Sequence, residues 1–164
     1  MTLTDALPRL QGFPAVINNN TTTLILGSFP GEASLQEQQY YAHPRNQFWR
    51  LLSAVLNENL ATLPYPQRLA RLQAHRIGLW DIFVSCRRQG SLDSAIRQQQ
   101  MNDFPALQQQ YRQLRKLCFN GKTAGKMQAH FDKAGYQTVV LPSSSPANAQ
   151  LSFEQKLLLW QAIL

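Results

Sequence analysis

The stretch Leu24-Ile-Leu-Gly-Ser-Phe-Pro-Gly-Glu32 leads from an apolar run into a loop with a glycine at each end, Gly27 and Gly31. A second stretch, Tyr40-Tyr-Ala-His-Pro-Arg-Asn-Gln-Phe-Trp49, contains a proline suited to the first turn of a helix. An apolar, β-branched run that stops at a glycine is typical of a buried parallel strand. A strand, a tight loop and a helix start are the parts from which an α/β protein builds a ligand site at the carboxyl end of its sheet.

Four such strands alternate with helices along the chain. We predict strands at 22–26, 77–80, 116–119 and 137–141, an order that implies a parallel sheet with right-handed crossovers and helices on both faces. Local signals predict a capping box at Ser34-Leu-Gln-Glu37, a second helix that begins at Pro44, one helix over 122–133 and a last helix capped at Ser152. Residues 1–21 are predicted to be irregular. No linker divides the chain, so we expect one domain over residues 1–164.

The net charge of +7 on 164 residues favours a polyanionic partner such as nucleic acid. The basic residues form no continuous block, so a scattered solubilising charge is the alternative. No apolar run approaches the ~20 residues of a membrane span, and the N-terminus lacks the basic and apolar regions of a secretory signal. These features predict a cytoplasmic protein that does not contact a membrane.

Cys86 and Cys118 are the only cysteines of the chain. This count excludes a four-cysteine cluster or a zinc ribbon made by one chain alone. Both residues lie beside apolar neighbours, as reduced and buried thiols do in a reducing compartment. We therefore expect neither a metal nor a cofactor.

The 27–31 loop is the first candidate site segment, formed by Gly27, Ser28, Phe29, Pro30 and Gly31. Its glycines allow a ligand to approach the backbone closely, and its proline stiffens the loop. Phe29 is predicted to project over a pocket as a stacking surface; in the alternative, its ring packs in the core. No Gly-Lys-Ser/Thr follows the loop, so the motif is not a phosphate-binding Walker loop.

The segment His43-Pro-Arg-Asn46 supplies the most specific candidate, Asn46. In a helix that begins at Pro44, Asn46 is the third residue, and its side chain leans back toward whatever precedes the helix. Its amide offers an acceptor and a donor side by side, which matches a base edge with one N–H and one C=O. Uracil and hypoxanthine both present that edge. The alternative is an asparagine that hydrogen-bonds the helix N-terminus.

The third segment, Leu141-Pro-Ser-Ser-Ser-Pro-Ala-Asn148, leaves the last strand at the same edge of the sheet. A stiff loop with three hydroxyls suits contact with phosphates and entry into a narrow groove, although an ordinary surface loop has the same composition. Other residues remain open between a site role and a structural role: Tyr40, Tyr41, His43, Asp81, Arg87, Arg88, Lys122 and Lys126. For Asp81, the sequence favours helix capping over the positioning of water.

Together these segments resemble the uracil-DNA glycosylase superfamily, and most closely its hypoxanthine-DNA glycosylase branch, also called DNA-deoxyinosine glycosylase. The resemblance rests on the three segments above together with Gly78-Leu-Trp-Asp81, Gly90-Ser-Leu-Asp93 and Phe119-Asn-Gly121, which span residues 24–148. It implies a three-layer α/β/α sandwich around a central four-stranded parallel sheet. It also implies an enzyme that removes a damaged base from DNA.

One position departs from the pattern of the superfamily. Classical members carry an Asp or Asn in the first motif that activates or positions water, and here that place is taken by Phe29. In the hypoxanthine branch, the resemblance implies that the asparagine of the next segment, Asn46, takes the principal base-binding and catalytic role.

We therefore hypothesise a monofunctional, monomeric glycosylase that acts on a deaminated base flipped out of DNA and leaves an abasic site. The expected catalytic residue is Asn46. The expected base-binding residues are Gly27, Ser28, Phe29, Pro30, Tyr41, His43 and Asn46. The expected DNA-binding residues are Gly31, Lys122, Ser143, Ser144, Ser145, Pro146 and Asn148. The alternatives are a uracil-preferring glycosylase, a hydrolase of free nucleosides or nucleotides, and a nucleic-acid-binding module without catalysis.

Overall fold

The computed structural model describes residues 2–164. Its central sheet has four parallel strands in the spatial order β3-β2-β6-β7. Their bounds are β2 Thr23–Gly27, β3 Ile77–Asp81, β6 Lys116–Asn120 and β7 Gln137–Leu141. The predicted strands are therefore confirmed, each to within about a residue at its ends. Helices flank the sheet, and the predicted three-layer α/β/α sandwich is confirmed.

The register of this sheet brings four strand ends to one edge. Gly27 of β2 lies opposite Asp81 of β3, and Asn120 of β6 lies opposite Leu141 of β7. Since parallel strands share a direction, the loops that follow these four residues meet at the same edge. Each loop predicted to carry function leaves the sheet there.

A second, antiparallel sheet was not predicted. It has the order β1-β4-β5 and is made by β1 Arg9–Gln11, β4 Phe83–Arg87 and β5 Arg97–Met101. The prediction that residues 1–21 are irregular was therefore wrong for β1. All five residues of β5 are exposed, so this edge strand lacks the alternation of buried and exposed side chains that marks a strand in a sequence.

Seven helices complete the described chain, together with short 3₁₀ turns at Thr4–Ala6, Asp93–Ala95 and Gln161–Ile163. The helices are α1 Glu32–Glu37, α2 Phe48–Leu56, α3 Tyr65–Ala74, α4 Phe104–Gln110, α5 Lys122–Gly125, α6 Gln128–Lys133 and α7 Phe153–Trp160. As predicted, α7 has a capping box between Ser152 and Gln155. None of the helices in residues 2–164 is long and apolar enough to cross a membrane.

Three helix predictions were wrong. The first helix begins at Glu32, so Ser34 lies inside it rather than at a cap, and its hydroxyl accepts the backbone N–H of Ala42. The second helix begins at Phe48 and not at Pro44, because residues 43–46 close a turn of their own. The helix predicted over 122–133 is divided, and a side chain at Gly125 would lie 2.8 Å from Val140 on the neighbouring strand.

The two faces of the central sheet bury separate apolar clusters. On one face, the rings of Phe48, Trp49 and Trp160 pack around Ile25 and Leu79. On the other, Phe104, Phe119 and Phe131 pack with Leu24 and Leu26. Burial of apolar area is the main stabilising term of the fold, so the sheet between the two clusters is a rigid support for the loops at its edge.

Candidate active site

Gly27, the last residue of β2, lies close to the side chains of Asp81 and Tyr41. A Cβ atom at this position would lie 2.6 Å from Oδ1 of Asp81 and 3.0 Å from the hydroxyl oxygen of Tyr41. Neither separation is tolerated without a shift of the neighbour. The glycine at the end of β2 is therefore required by the close approach of two polar side chains, rather than by its own backbone conformation.

Asp81 presents a buried carboxylate at this point. Its side chain is 4% exposed, and Oδ2 has no hydrogen-bond partner among residues 2–164. Burial raises the pKa of this carboxyl from its usual range to about 7; the charge of Asp93 adds to the rise, and Arg88 opposes it. The capping role predicted for Asp81 was wrong, because β4 and not a helix follows it along the chain.

Tyr41 places an aromatic ring beside the same carboxylate. The ring stacks on Phe48 at a centroid distance of 3.8 Å and an angle of 15°. Its buried hydroxyl finds no hydrogen-bond partner within the described chain, and burial raises its pKa, with Asp81 as the next cause. The backbone of Tyr41 has a φ of 56°, a left-handed conformation that is uncommon for an aromatic residue. Such strain persists where the surroundings fix a side chain in one place.

Asn46 lies two residues before α2, so its predicted position as the third residue of the helix was wrong. Its Oδ1 accepts the backbone N–H of Phe48 at 2.9 Å, and its own N–H donates to the carbonyl oxygen of His43. The helix-capping alternative is therefore observed. Because Oδ1 accepts this backbone N–H, the amide group cannot turn over without losing the bond, and Nδ2 is left as the donor of the side chain.

The 27–31 loop is formed as predicted, but Phe29 does not face a pocket. The ring is 6% exposed and packs with Cys86 and Ile96 in a third apolar cluster. The guanidinium of Arg88 lies over it at 5.4 Å from the ring centroid. The alternative, in which the ring of Phe29 packs in the core, is therefore observed, because this cluster between the loop and the second sheet covers the ring.

Arg88 holds this loop against the chain that follows β4. Its side chain is 4% exposed, donates from Nη2 to the carbonyl oxygen of Pro30 at 2.6 Å, and donates from Nε to Gly90 at 2.8 Å. In the same region, the hydroxyl of Ser28 donates to Asp93 at 2.6 Å. The sequence left Arg88 open between phosphate contact and solvation. In the structure the side chain of Arg88 is instead buried, and its hydrogen bonds hold the loop in place.

The Ser/Pro loop after β7 is tied to the neighbouring strand end. Asn120 donates from Nδ2 to the hydroxyl of Ser144 and accepts the backbone N–H of Ser144 at Oδ1, both at 2.9 Å. The carbonyl oxygen of Ser144 in turn accepts the backbone N–H of Gln47 at 3.0 Å. Ser144 is 1% exposed and so cannot reach a phosphate, whereas Ser143, Ser145 and Pro146 are partly or fully exposed.

A cleft of about 650 Å³ separates the Ser/Pro loop from the start of α2. Pro44, Arg45 and Arg50 line one side, and Ser145, Pro146 and Asn148 line the other. Between them, buried Lys156 donates from Nζ to Oε1 of Gln47 and to the carbonyl oxygen of Asn148, both at 2.9 Å. The cleft therefore has exposed arginines at one wall and a fixed loop at the other.

The predicted site residues differ in how close they lie to this edge of the sheet and in how exposed they are. Ser28 and Tyr41 lie at the end of β2, and Asn46 lies in the turn before α2. Lys122 is exposed at the start of α5. His43 is exposed, and its Nδ1 accepts the backbone N–H of Arg45 within the turn. Four residues with a clear position here had no predicted site role: Gln47, Asp93, Asn120 and Lys156. Gln47, Asp93 and Asn120 lie in segments that carry the resemblance, but local spacing gives none of the four a role, because their partners are distant in the chain. No group of three His, Cys, Asp or Glu side chains within residues 2–164 is arranged to hold a metal.

Comparison with known proteins gives consistent matches over most of the chain. A family model described as the uracil DNA glycosylase superfamily matches residues 14–164. A hypoxanthine DNA glycosylase of Methanosarcina acetivorans is 47% identical over 142 residues, which cover 87% of this chain and 90% of that protein. A hypoxanthine DNA glycosylase of Methanosarcina barkeri is 44% identical over 138 residues, which cover 84% and 87%. The solution structure of a putative uracil DNA glycosylase from M. acetivorans superposes with a TM-score of 0.84 at 42% identity, covering 95% of this chain and 99% of that one.

Proposed function

The chain belongs to the uracil DNA glycosylase superfamily, and on that premise we propose that it is a DNA-deoxyinosine glycosylase. It hydrolyses the N-glycosidic bond of hypoxanthine flipped out of DNA and leaves an abasic site. The family membership confirms the resemblance seen in the sequence. Two relatives named hypoxanthine DNA glycosylase, at 47% and 44% identity over most of the chain, support the same activity and substrate.

The observation that carries the mechanism is the hydrogen bond from Phe48 N–H to Oδ1 of Asn46. This bond fixes the side-chain amide so that Nδ2 donates, and the carbonyl of a deaminated base is an acceptor. When the bond between C1′ of the sugar and the base breaks, its electron pair goes to the base and negative charge grows on the carbonyl oxygen. A donor held at that oxygen stabilises the transition state more than the ground state.

In this mechanism the stacking surface is Tyr41, which was among the predicted base-binding residues, and not Phe29. One face of the Tyr41 ring lies on Phe48, which fixes its plane. A flipped base that stacks on the remaining face gains contact area at little entropic cost, because the ring is already held. The oxocarbenium-type sugar then bonds at C1′ to the oxygen of a water molecule, and the proton lost by that water neutralises the departing base. Strand cleavage is not part of the reaction.

DNA is held by the surroundings of the cleft. We assign phosphate contacts to Lys122 and to the exposed hydroxyls of Ser143 and Ser145, and we assign to Pro146 the filling of the space left in the duplex. Gly31 and Asn148 border this surface as backbone and amide contacts. Of the predicted DNA-binding residues, Ser144 is reassigned to holding the loop, since it is buried on Asn120. The net charge of +7 supports binding to a polyanion.

We further propose that residues 1–164 act as one domain and as a monomer on chromosomal DNA in the cytoplasm. Size-exclusion chromatography with light scattering tests the monomer. A mass near 19 kDa is expected from the 18.7 kDa chain, and a mass twice as large would contradict it.

The decisive experiment is single-turnover excision on duplexes that carry hypoxanthine, uracil or xanthine at one position, read as alkali-labile abasic sites. We expect excision of hypoxanthine to be fastest, and we expect the Asn46→Ala variant to lose it while it still binds the duplex. Equal excision by the variant would remove Asn46 from the mechanism. A faster reaction on uracil would favour the uracil-preferring alternative, since uracil carries the same N–H and C=O edge. Absence of abasic sites on all three duplexes would favour a binding module.

A further inference from the structure

The cleft beside the Ser/Pro loop is lined by cations and by no acid. Within the described chain its lining includes Arg45, Arg50 and Lys156, and it contains no Asp or Glu. The other lining residues are uncharged, with the hydroxyl of Ser145 among them. A concave surface that carries one sign of charge concentrates ions of the opposite sign. The cleft therefore favours an anion, and the mechanism above gives its three cations no role.

Lys156 is a buried cation whose hydrogen-bond partners are neutral. Its side chain is 2% exposed, and Nζ donates to Oε1 of Gln47 and to the carbonyl oxygen of Asn148. An ammonium has three N–H donors, and no carboxylate within residues 2–164 forms an ion pair with this one. Burial of a charge is costly unless the charge is paired, so an anion in the cleft would offset part of the cost.

The two arginines of the cleft are exposed and form no ion pair within the part of the chain that the structure describes. The guanidinium of Arg50 lies over the ring of Phe153 at 5.6 Å from the centroid, which restrains its position on the cleft wall. Arg50 also borders a second groove, but the one acid of that groove, Glu58, is already paired with a neighbouring arginine and histidine. Unpaired guanidinium N–H groups match the oxygens of a phosphate.

We propose that this cleft binds one backbone phosphate of the DNA strand that carries the flipped nucleotide, with Arg45 and Arg50 as the contacts and Lys156 adding positive charge. The proposal rests on the proposed function and deepens it, because it adds a phosphate site to the contacts assigned to Lys122 and the exposed serines.

The position of the cleft favours DNA over another anion. Arg45 and Gln47, which flank Asn46 in the sequence, line one part of the cleft, and Pro146 lines another. If the flipped base lies at Asn46 and Pro146 fills the space it leaves, the sugar-phosphate chain between the two must pass over this cleft. The carboxylates of an acidic peptide could also pair with the arginines, but nothing would require such a peptide to lie there.

The test compares wild type with Arg45→Gln/Arg50→Gln and with the control Arg112→Gln/Arg115→Gln. The control removes the same charge from two exposed arginines that precede β6, at the opposite edge of the central sheet. Lys156 is left unchanged, because it also holds the loop. Duplexes with one deoxyinosine carry an uncharged methylphosphonate in place of each nearby phosphate in turn, and the affinity for each duplex is measured.

For wild type and the control, we expect a position near the deoxyinosine at which the methylphosphonate weakens binding about tenfold or more. For Arg45→Gln/Arg50→Gln, we expect about that loss of affinity on the unmodified duplex and no further loss at that position, since the contact is already absent. Single-turnover excision of hypoxanthine by wild type is measured on the same unmodified duplex.

A methylphosphonate pattern that is the same in wild type and in Arg45→Gln/Arg50→Gln would overturn the phosphate site, and so would an equal loss of affinity in this variant and the control. Inorganic phosphate, added at constant ionic strength, tests for a free anion. Competition by it in wild type, with no methylphosphonate position affecting binding, would also overturn the proposal. In each case excision of hypoxanthine by wild type would leave the proposed function intact.

Thermal melting checks that the variants are folded. If loss of the contact between Arg50 and Phe153 unfolds the double variant, Arg45→Gln and its control Arg112→Gln make the same comparison. A wild-type protein that excises no deaminated base would overturn the proposed function, and the phosphate site with it.

Discussion

Oδ1 of Asn46 accepts the backbone N–H of Phe48 at 2.9 Å, so a single side chain orders the turn before α2 and presents an amide donor from its other side. The two roles can be separated. Asn46→Asp keeps an oxygen for the cap but replaces the donor. We expect its free energy of unfolding to stay within about 0.5 kcal/mol of wild type, while hypoxanthine excision falls about 100-fold or more.

Thermal melting and single-turnover excision measure the two effects in parallel. Asn46→Ala is the matched comparison, since it removes both groups and should cost about 1 kcal/mol of stability as well as activity. Excision by Asn46→Asp at the wild-type rate would show that the asparagine acts through the cap alone.

Substitution of Phe29 should mainly lower stability, whereas substitution of Tyr41 should mainly lower the excision rate. Phe29 packs in the apolar cluster with Cys86 and Ile96, so Phe29→Ala is expected to lower the free energy of unfolding by about 3 kcal/mol. Its excision rate per folded molecule should change little below the melting transition. Tyr41→Ala should instead reduce excision more than tenfold, because the stacking surface is lost. The reverse ranking of the two excision rates would restore Phe29 as the stacking residue.

The carboxyl of Asp81 should make stability depend on pH in a defined direction. Its pKa is about 7 in the folded protein against 3.8 for an unperturbed aspartate, so between these two values the folded state holds a proton that the unfolded state has released. Stability is therefore fully present below about pH 4, falls as pH rises toward 7, and is constant above. The Tm of Asp81→Asn should exceed that of wild type at pH 8 and match it near pH 4. A Tm difference that does not vary with pH would contradict this.

Substitution by methionine should lower the stability of the protein at Lys156 and weaken DNA binding at Lys122. Lys156 is buried and donates to Gln47 and Asn148, so Lys156→Met leaves two acceptors unpaired and is expected to cost about 1–3 kcal/mol of stability. Lys122 is exposed, so Lys122→Met should leave the Tm unchanged and reduce the salt dependence of DNA binding by about one phosphate contact. Melting curves and binding titrations at several salt concentrations check both. A salt slope that is equal in wild type and Lys122→Met would remove this lysine from the DNA surface.

The central sheet could be predicted from the sequence, but the second sheet could not. Apolar runs such as 137–141 mark buried strands by composition, whereas Arg97–Met101 is exposed at every position and carries no such mark. A pattern of burial reveals strands only where the sheet buries a face. The edge of the sheet from which the candidate loops leave was predicted because parallel strands share a direction.

The loops after β2 and β7 leave the sheet at the predicted edge, but the geometry within the candidate segments differs from the prediction. Pro44 suggested a helix start, but the hydrogen bond from Asn46 N–H to His43 closes a separate turn and delays the helix to Phe48. Phe29 follows a strand as a pocket residue would, and only the distant Arg88 and Cys86 show why its ring is covered. Such contacts join segments far apart in the chain, and no local spacing reveals them.

The hydrogen bond from Gln47 N–H to the carbonyl oxygen of Ser144 joins the Ser/Pro loop to the residue that follows Asn46. If Pro146 fills the space left in the duplex, as we propose, an undamaged duplex that displaces the loop would also shift Gln47 and with it the adjacent Asn46, before any bond is broken. The same link limits protein engineering. A Ser/Pro loop grafted from another glycosylase will carry its own DNA preference only if Gln47, Asn120 and Lys156 are exchanged with it.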